Sequence, residues 1–167
     1  VGVFVAAIGL TVLIEYATGI DFGIDARFLF NRTWGNVGVI APGRMGPPGA
    51  VGWTILGLSM LFASSSPARR WPRAIAPVLA LVAMSIASLT LLGYLYGVTA
   101  LYTVPLVSII ALQTSTFILA VSIGITIVVP ERAPMRILND ASPAGALVRR
   151  ILPAVIVVPI ALGLFRL

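Results

Sequence analysis

Long runs of apolar residues, separated by short polar segments, dominate the pattern of this chain. Five runs approach or reach the twenty or so residues that a helix needs to cross a bilayer. They lie at residues 1–18, 48–64, 74–97, 104–129 and 150–165. The runs are continuously apolar, unlike the roughly ten-residue alternating strands of outer-membrane barrels. The pattern predicts an all-α fold, a polytopic transmembrane bundle of about five helices that forms a single domain over residues 1–167.

Two of these runs end in similar sequences, which indicates an internal repeat. Segments 13–20 and 91–98 both read apolar, apolar, variable, Tyr, two variable residues, Gly and a β-branched residue. Tyr16 and Tyr94 suit the membrane interface, and Gly19 and Gly97 are good residues to end a helix. The repeat predicts a duplicated helical hairpin, with a tight turn near residues 97–105 between the third and fourth helices.

Composition agrees with a membrane location. Hydrophobic residues make up 59% of the chain and charged residues 10%, whereas a soluble domain carries about 25% charged residues. The basic residues are all Arg and fall between apolar runs, where they set membrane orientation and do not indicate nucleic-acid binding. Two loops on one side hold most of them: Arg69, Arg70, Arg73, Arg132, Arg136, Arg149 and Arg150. The remainder, Arg27, Arg32, Arg44 and Arg166, are partly offset by Asp21 and Asp25. The positive-inside rule predicts a multi-pass protein of a bacterial inner membrane with a cytoplasmic N-terminus.

The chemistry-bearing residue types are scarce. The chain has no Cys and no His, which removes thiolate chemistry, Cys or His metal ligands and the commonest general base. No nucleophile–base pair or metal-ligand set stands out. The sequence therefore predicts no catalytic residue, no metal site, no cofactor and no enzyme activity.

Five residues are candidates for functional contacts within the membrane or at its surface. Glu15 is the one acid inside a predicted span, and such acids are costly and often functional. It either forms an interfacial pair or cap with a nearby Arg, or contacts an ion or ligand. Tyr16, Arg44 and Tyr94 lie beside predicted helix ends. Gln113 begins a polar patch in the fourth run that serves either helix–helix hydrogen bonding or ligand binding.

The segment before the fifth run carries a helix-start signal. Ser142 is a good N-cap and Pro143 suits the first helical position, so a helix from Pro143 is expected to continue into the fifth span. Pro153 and Pro159 are expected to kink or locally open that span.

Four motifs in the same order cover most of the chain. They are Glu15-Tyr16-x-x-Gly19-Ile20-Asp21-x-Gly23-Ile24-Asp25, Pro42-Gly43-Arg44-Met45-x-Pro47, Gly93-Tyr94-Leu95-Tyr96-Gly97-Val98-x-Ala100-Leu101-Tyr102, and Ser142-Pro143-x-Gly145-x-x-x-Arg149-Arg150-Ile151-Leu152-Pro153 with Pro159, Leu162-Gly163 and Arg166-Leu167. In these motifs the chain resembles the N-terminal membrane-integral sensor region of bacterial multidomain signalling proteins of the PAS, histidine kinase or diguanylate cyclase type.

The resemblance implies a non-catalytic sensory or input module that passes a signal to cytoplasmic domains. It also implies a longer protein, so that this chain is expected to be a fragment or a truncated member. Segment 48–52 departs from the polar stretch that follows the proline in that family, which puts signal recognition there in doubt. Two alternatives stay open: an accessory structural subunit of a larger photosynthetic or respiratory membrane complex, and a small transporter or channel. The expected partners are the lipid bilayer and other transmembrane helices or subunits.

Overall fold

The computed structural model describes residues 1–24, 44–66, 68, 70–98, 103–104 and 108–165. Over these residues the protein is helical, with one very short strand pair. The six helices are α1 Gly2–Thr18, α2 Pro47–Ala63, α3 Arg70–Tyr96, α4 Leu112–Val128, α5 Met135–Leu138 and α6 Pro143–Leu164. The strands β1 Thr103–Val104 and β2 Ser108–Ile109 pair antiparallel between α3 and α4. Asp25, Arg27, Arg32, Arg69, Tyr102 and Arg166 lie outside the described residues.

Two of the described helices are long and apolar enough to cross a membrane, α3 and the Pro143–Ala161 part of α6. The helices α1, α2 and α4 are also apolar but have 17 residues each. Long apolar helices are shared by membrane proteins and by the cores of soluble ones, so their surroundings matter. The described chain is therefore helical with two candidate spans, and the bundle of about five spans stays a prediction.

The helix α2 lies at the centre of the bundle and packs against α1, α3 and α4. It runs antiparallel to α1, since Gly2 lies beside Leu61 while Gly9 lies beside Thr54. The seam between α1 and α2 is tight because it is built on glycine. A Cβ added to Gly57 would meet the backbone nitrogen of Ala6 and would come within 2.8 Å of its Cβ. Small residues permit this close approach of helix backbones.

Small side chains predominate in the interior, beside a few large ones such as Leu56 and Ile118, and many large apolar side chains face outward. On α3 the buried positions form one stripe at helical spacing: Ala76, Ala80, Ala83, Ala87 and Thr90. Ser59 of α2 donates a hydrogen bond to the carbonyl oxygen of Ala76 at 2.7 Å, which ties α2 to α3. Outside the bundle, Phe4 is 70% exposed and Phe117 is 63% exposed. In a water-soluble protein most large apolar residues are buried, so the number of exposed ones here is unusual.

Two helices end as the repeat predicted. The residues that follow α1 and α3 are Gly19 and Gly97, with φ of 72° and 65°. The amide of Gly19 donates to the carbonyl oxygen of Glu15 at 2.8 Å, and the amide of Val98 donates to that of Gly93 at 2.9 Å. A positive φ at the residue after a helix is the common glycine-based helix end. The predicted glycine ends are thus confirmed, while duplication of the hairpin remains a prediction.

The start of the fourth helix was predicted wrongly. The apolar run suggested a helix from residue 104 after a tight turn, but α4 begins at Leu112 and the preceding residues pair as β1 and β2. Val104, which precedes Pro105, lies in β1, and a residue before proline is disfavoured in helical conformation. The β-branched residues around it favour a strand as well. At the other predicted boundaries, α3 begins at Arg70, four residues before residue 74, and α6 begins at Pro143.

The last helix starts as its cap signal predicted and then leaves the bundle. The Ser142 hydroxyl accepts a hydrogen bond from the Gly145 amide at 3.3 Å, and Pro143 occupies the first turn. Pro153 and Pro159 lie inside α6. Residues 149–159 are all exposed. Near its end α6 meets α3, where the Tyr96 hydroxyl donates to the carbonyl oxygen of Ile160 at 3.0 Å.

Candidate functional site

A buried carboxylate lies where α1 ends. Glu15 is fully buried, and its Oε1 accepts a hydrogen bond from the amide of Phe22 at 2.8 Å. The backbone reaches that position because Gly19, with its positive φ, turns the chain back over the last turn of α1. Carboxylates that enter an apolar interior need such partners, because an isolated buried charge is very costly.

Arg44 supplies the opposite charge from the residues that lead into α2. Its Nε lies 3.4 Å from Glu15 Oε2, and one terminal nitrogen lies 3.5 Å from Asp21 Oδ1. Its guanidinium carbon lies 5.7 Å from the centre of the Tyr16 ring, within cation–π range. Glu15, Tyr16, Asp21 and Arg44 are named the outer cluster below. The cluster joins the end of α1 to the start of α2.

Three of the five predicted site residues therefore meet in one place. Tyr94 takes a different partner, since its hydroxyl donates to the carbonyl oxygen of Ile110 at 2.6 Å and so holds the chain that leads into α4. Gln113 is on the exposed side of α4. The polar patch behind it divides: Ser115 is buried and bonds back to the Ala111 carbonyl oxygen, while Thr116 is exposed. Tyr94, near the end of α3, and Gln113, near the start of α4, lie at the same end of the bundle as the outer cluster.

The outer cluster holds opposite charges close together. It combines two carboxylates with one guanidinium, which stays protonated and so keeps its positive charge. Over the part of the chain that the structure describes, no group of three or more acidic, His or Cys side chains is placed to hold a metal ion. Such a cluster can respond to an ion or a polar ligand that competes for Arg44 or for the carboxylates.

A second ion-paired cluster lies at the opposite end of α2. Arg73 Nε lies 2.6 Å from Glu131 Oε1, and Arg73 Nη1 donates to the carbonyl oxygens of Ala63 at 3.2 Å and Ser65 at 3.3 Å. Arg132 donates to the carbonyl oxygen of Arg70 at 3.2 Å. Arg70, Arg73, Glu131 and Arg132 are named the inner cluster below. A cation at these last carbonyls of α2 is favourable because the C-terminal end of a helix carries partial negative charge.

The inner cluster changes the titration of its one carboxyl group. The hydrogen bond from Arg73 holds the pKa of Glu131 below its ordinary value, and its own backbone amide lowers the pKa further. The sequence pattern does not indicate this cluster, since loop arginines read as orientation signals and pairing across 58 positions leaves no local trace. Glu131 is one of two acids among the basic loop residues, with Asp140, and its place beside Arg132 was the available signal.

Searches of family models, of curated proteins and of solved structures found no match to this chain.

Proposed function

We propose that the chain is a non-catalytic integral membrane module whose helices α1, α2, α3, α4 and α6 lie in a bilayer. The observation that carries this proposal is the many large apolar side chains that face outward around a core made mostly of alanine, glycine and serine. On α6 the apolar residues Val155 and Val157 are 61% and 59% exposed. Water would disfavour such a surface strongly, whereas lipid tails solvate it without cost.

The shorter helices are compatible with crossing. A helix of 17 residues is about 25 Å long at 1.5 Å per residue, and natural spans begin at about that length. The arginines of the inner cluster, together with Arg136, Arg149 and Arg150, gather at one end. By the positive-inside rule this end is proposed to face the cytoplasm of a bacterium, which places the N-terminus there as well.

Cysteine labelling tests this orientation. Because the chain has no native cysteine, only the introduced thiol can react. Phe22→Cys marks the outer end and Ser66→Cys the inner end, and both residues are exposed. In intact cells a membrane-impermeant maleimide is expected to label Phe22→Cys, and to label Ser66→Cys only after permeabilisation. The reverse result would overturn the orientation. Labelling of both in intact cells would contradict the crossing of α2.

Within the membrane, the function that the geometry supports best is a sensory or input module of a bacterial signalling protein. The supporting observation is that α2 carries an arginine-based cluster at each end. Arg44 precedes it and pairs with Glu15, while the carbonyl oxygens of Ala63 and Ser65, at and just after its end, are bound by Arg73. A ligand that displaced Arg44 would release the start of α2, and a shift of that helix would disturb the inner cluster. The resemblance of the four motifs points to the same class of protein.

An input module must be connected to an output domain, and the test uses that connection. Because α6 is proposed to run from the inner to the outer side, the gene is expected to encode at least one further transmembrane helix after it, and then a cytoplasmic output domain. In the full-length protein, Glu15→Gln is expected to change the regulated output activity several-fold, while the protein still folds and inserts. Asp140→Asn, the same chemical change at an exposed acid, serves as the matched control and is expected to leave the output unchanged. Unaltered output in Glu15→Gln would contradict a signalling role for the outer cluster.

One observation favours an accessory subunit as the second candidate. Residues 151–159 of α6 are all exposed and apolar, so neighbouring helices of a larger complex would find a continuous apolar surface there. In that case the chain is expected to co-purify at fixed stoichiometry in a mild detergent, and native mass spectrometry would identify the complex. Recovery of the chain without other subunits would count against this candidate.

A further inference from the structure

An open groove runs along the first turns of α3, beside the inner cluster. Its volume is about 440 Å³, and it is lined by Arg70, Trp71, Ala74, Ile75, Val78 and Arg132. The four uncharged positions follow the spacing i, i+3, i+4 and i+7, so they form one stripe along about 10 Å of the helix. The groove is therefore apolar along its length and basic at the end where α3 begins.

The basic end carries more positive charge than its acid neutralises. Of the inner cluster, Arg73 is held by Glu131 at 2.6 Å. Arg132 donates to a neutral carbonyl oxygen, which fixes its side chain against α3 without cancelling its charge. The charge of Arg132 also acts on Glu131 and helps to lower the pKa of that carboxyl group. The inner cluster thus has one carboxylate and three guanidinium groups, and the end of the groove remains suited to an anion.

Trp71 stands at the junction between the charged and apolar parts. It is the second residue of α3, and it is 81% exposed. A tryptophan in this position matches the aromatic belt at the level of lipid headgroups, where the ring has one apolar face and one polar edge. Its exposure leaves the ring available to whatever fills the groove.

We infer that this groove binds an anionic phospholipid of the bilayer. The headgroup phosphate lies at Arg70 and Arg132, and one acyl chain follows Ala74, Ile75 and Val78. Guanidinium groups recognise phosphate oxygens through paired hydrogen bonds, and the apolar stripe continues directly from them. An amphiphile with one charged end fits this layout. The inference rests on the proposed membrane location of the helices.

Brominated lipids provide the test, because bromine in an acyl chain quenches nearby tryptophan fluorescence. The chain has three Trp, so Trp34→Phe and Trp53→Phe leave Trp71 as the probe. The full chain is reconstituted in vesicles that contain a small fraction of brominated phosphatidylglycerol or, separately, brominated phosphatidylcholine. Stronger quenching by the phosphatidylglycerol than its mole fraction predicts is the expected result.

Two other outcomes separate this inference from the proposal it rests on. Equal quenching by both lipids would overturn selective binding of an anionic headgroup while leaving the helices in the membrane. Quenching by neither lipid would contradict the membrane placement of α3 itself. Both readings use the unmodified basic residues, so neither depends on the folding of a charge variant.

A charge variant then locates the headgroup. Arg70→Gln with Arg132→Gln is expected to weaken the preference about fivefold per arginine, because each adjacent basic residue contributes about 1 kcal/mol toward an anionic surface and 1.4 kcal/mol is a factor of ten. Arg136→Gln with Arg150→Gln is the matched control, since both side chains are exposed and basic but lie outside the groove. An equal loss in the control would show that overall charge, not this groove, selects the lipid.

Discussion

The two ends of α2 carry ion pairs of the same chemistry in different surroundings. In the outer cluster the Glu15 side chain is fully buried and that of Arg44 is 12% exposed. In the inner cluster Arg73 is 14% exposed but Glu131 is 46% exposed. The arginines are thus alike, and the carboxylates differ. How deeply the acid is buried determines how much the stability of the fold depends on the arginine that pairs with it.

This difference in burial shows at which end of α2 the fold depends more on its ion pair for stability. A buried acid that loses its cation is not rehydrated, and breaking such a pair costs about 3–5 kcal/mol. A half-exposed acid is rehydrated when its partner is removed, and exposed pairs contribute about 0.2–1 kcal/mol. The outer cluster therefore holds α1 to α2 firmly as long as Arg44 pairs with Glu15, and only a ligand that replaces one of these partners would release the start of α2. The inner cluster is the end that can open at little cost.

The largest effect is expected from removal of the buried partner. Arg44→Ala is expected to lower the free energy of unfolding by about 3 kcal/mol or more, because Glu15 is left buried without its cation. Unfolding in detergent micelles measures the change. The double variant Glu15→Met, Arg44→Met is expected to recover most of the loss, since apolar residues of similar volume replace the pair. A loss below about 1 kcal/mol in Arg44→Ala would equate the outer cluster with a surface pair.

An intermediate effect is expected midway between the two clusters. Gly57→Ala places a methyl group against the backbone of Ala6, and overpacking of this kind costs about 1–3 kcal/mol. Gly124→Ala is the matched control on α4, where a Cβ meets nothing within 4 Å. The control is expected to be neutral or slightly stabilising because alanine favours helices. Equal effects in the two variants would mean that the tight seam does not hold α2 in place.

A small effect is expected at the exposed acid. Glu131→Gln is expected to lower the free energy of unfolding by less than about 1 kcal/mol, and the difference should shrink as salt is added. Comparison of the variant with the parent at low and high salt measures it. A loss as large as that of Arg44→Ala would remove the contrast between the two ends.

The smallest effect is a dependence on pH. The pKa of Glu131 lies below its ordinary value in the folded protein, so the folded state favours the ionised carboxylate. Its contribution is present above the ordinary pKa of 4.5 and is lost as the pH falls through the lowered value. Stability measured from pH 6 down to pH 3 should fall slightly more in the parent than in Glu131→Gln. Parallel curves would show that the Arg73 contact does not persist in solution.

Local features of the fold were readable from the sequence, and distant pairings were not. The glycine ends of α1 and α3 and the Ser142 cap depend on adjacent residues, so short patterns predicted them. The start of α4 was misplaced because the apolar run includes the residues of β1 and β2, and hydropathy alone does not separate a short strand from a helix. Glu15 and Arg44 were both singled out, since an acid within an apolar run needs an explanation. Arg73 and Glu131 were not, because only the packing of α3 beside α4 brings them together.

The glycine seam between α1 and α2 has a consequence for how the protein can change over evolutionary time. A single added carbon at Gly57 would have to displace the backbone of Ala6. Substitution of Gly57 is therefore tolerated only if Ala6 moves as well. Phe4 lies on α1, as Ala6 does, and faces outward. Many apolar residues would serve equally at that position. Among natural variants of this protein, the seam positions Gly2, Gly9 and Gly57 should therefore change less than Phe4 does.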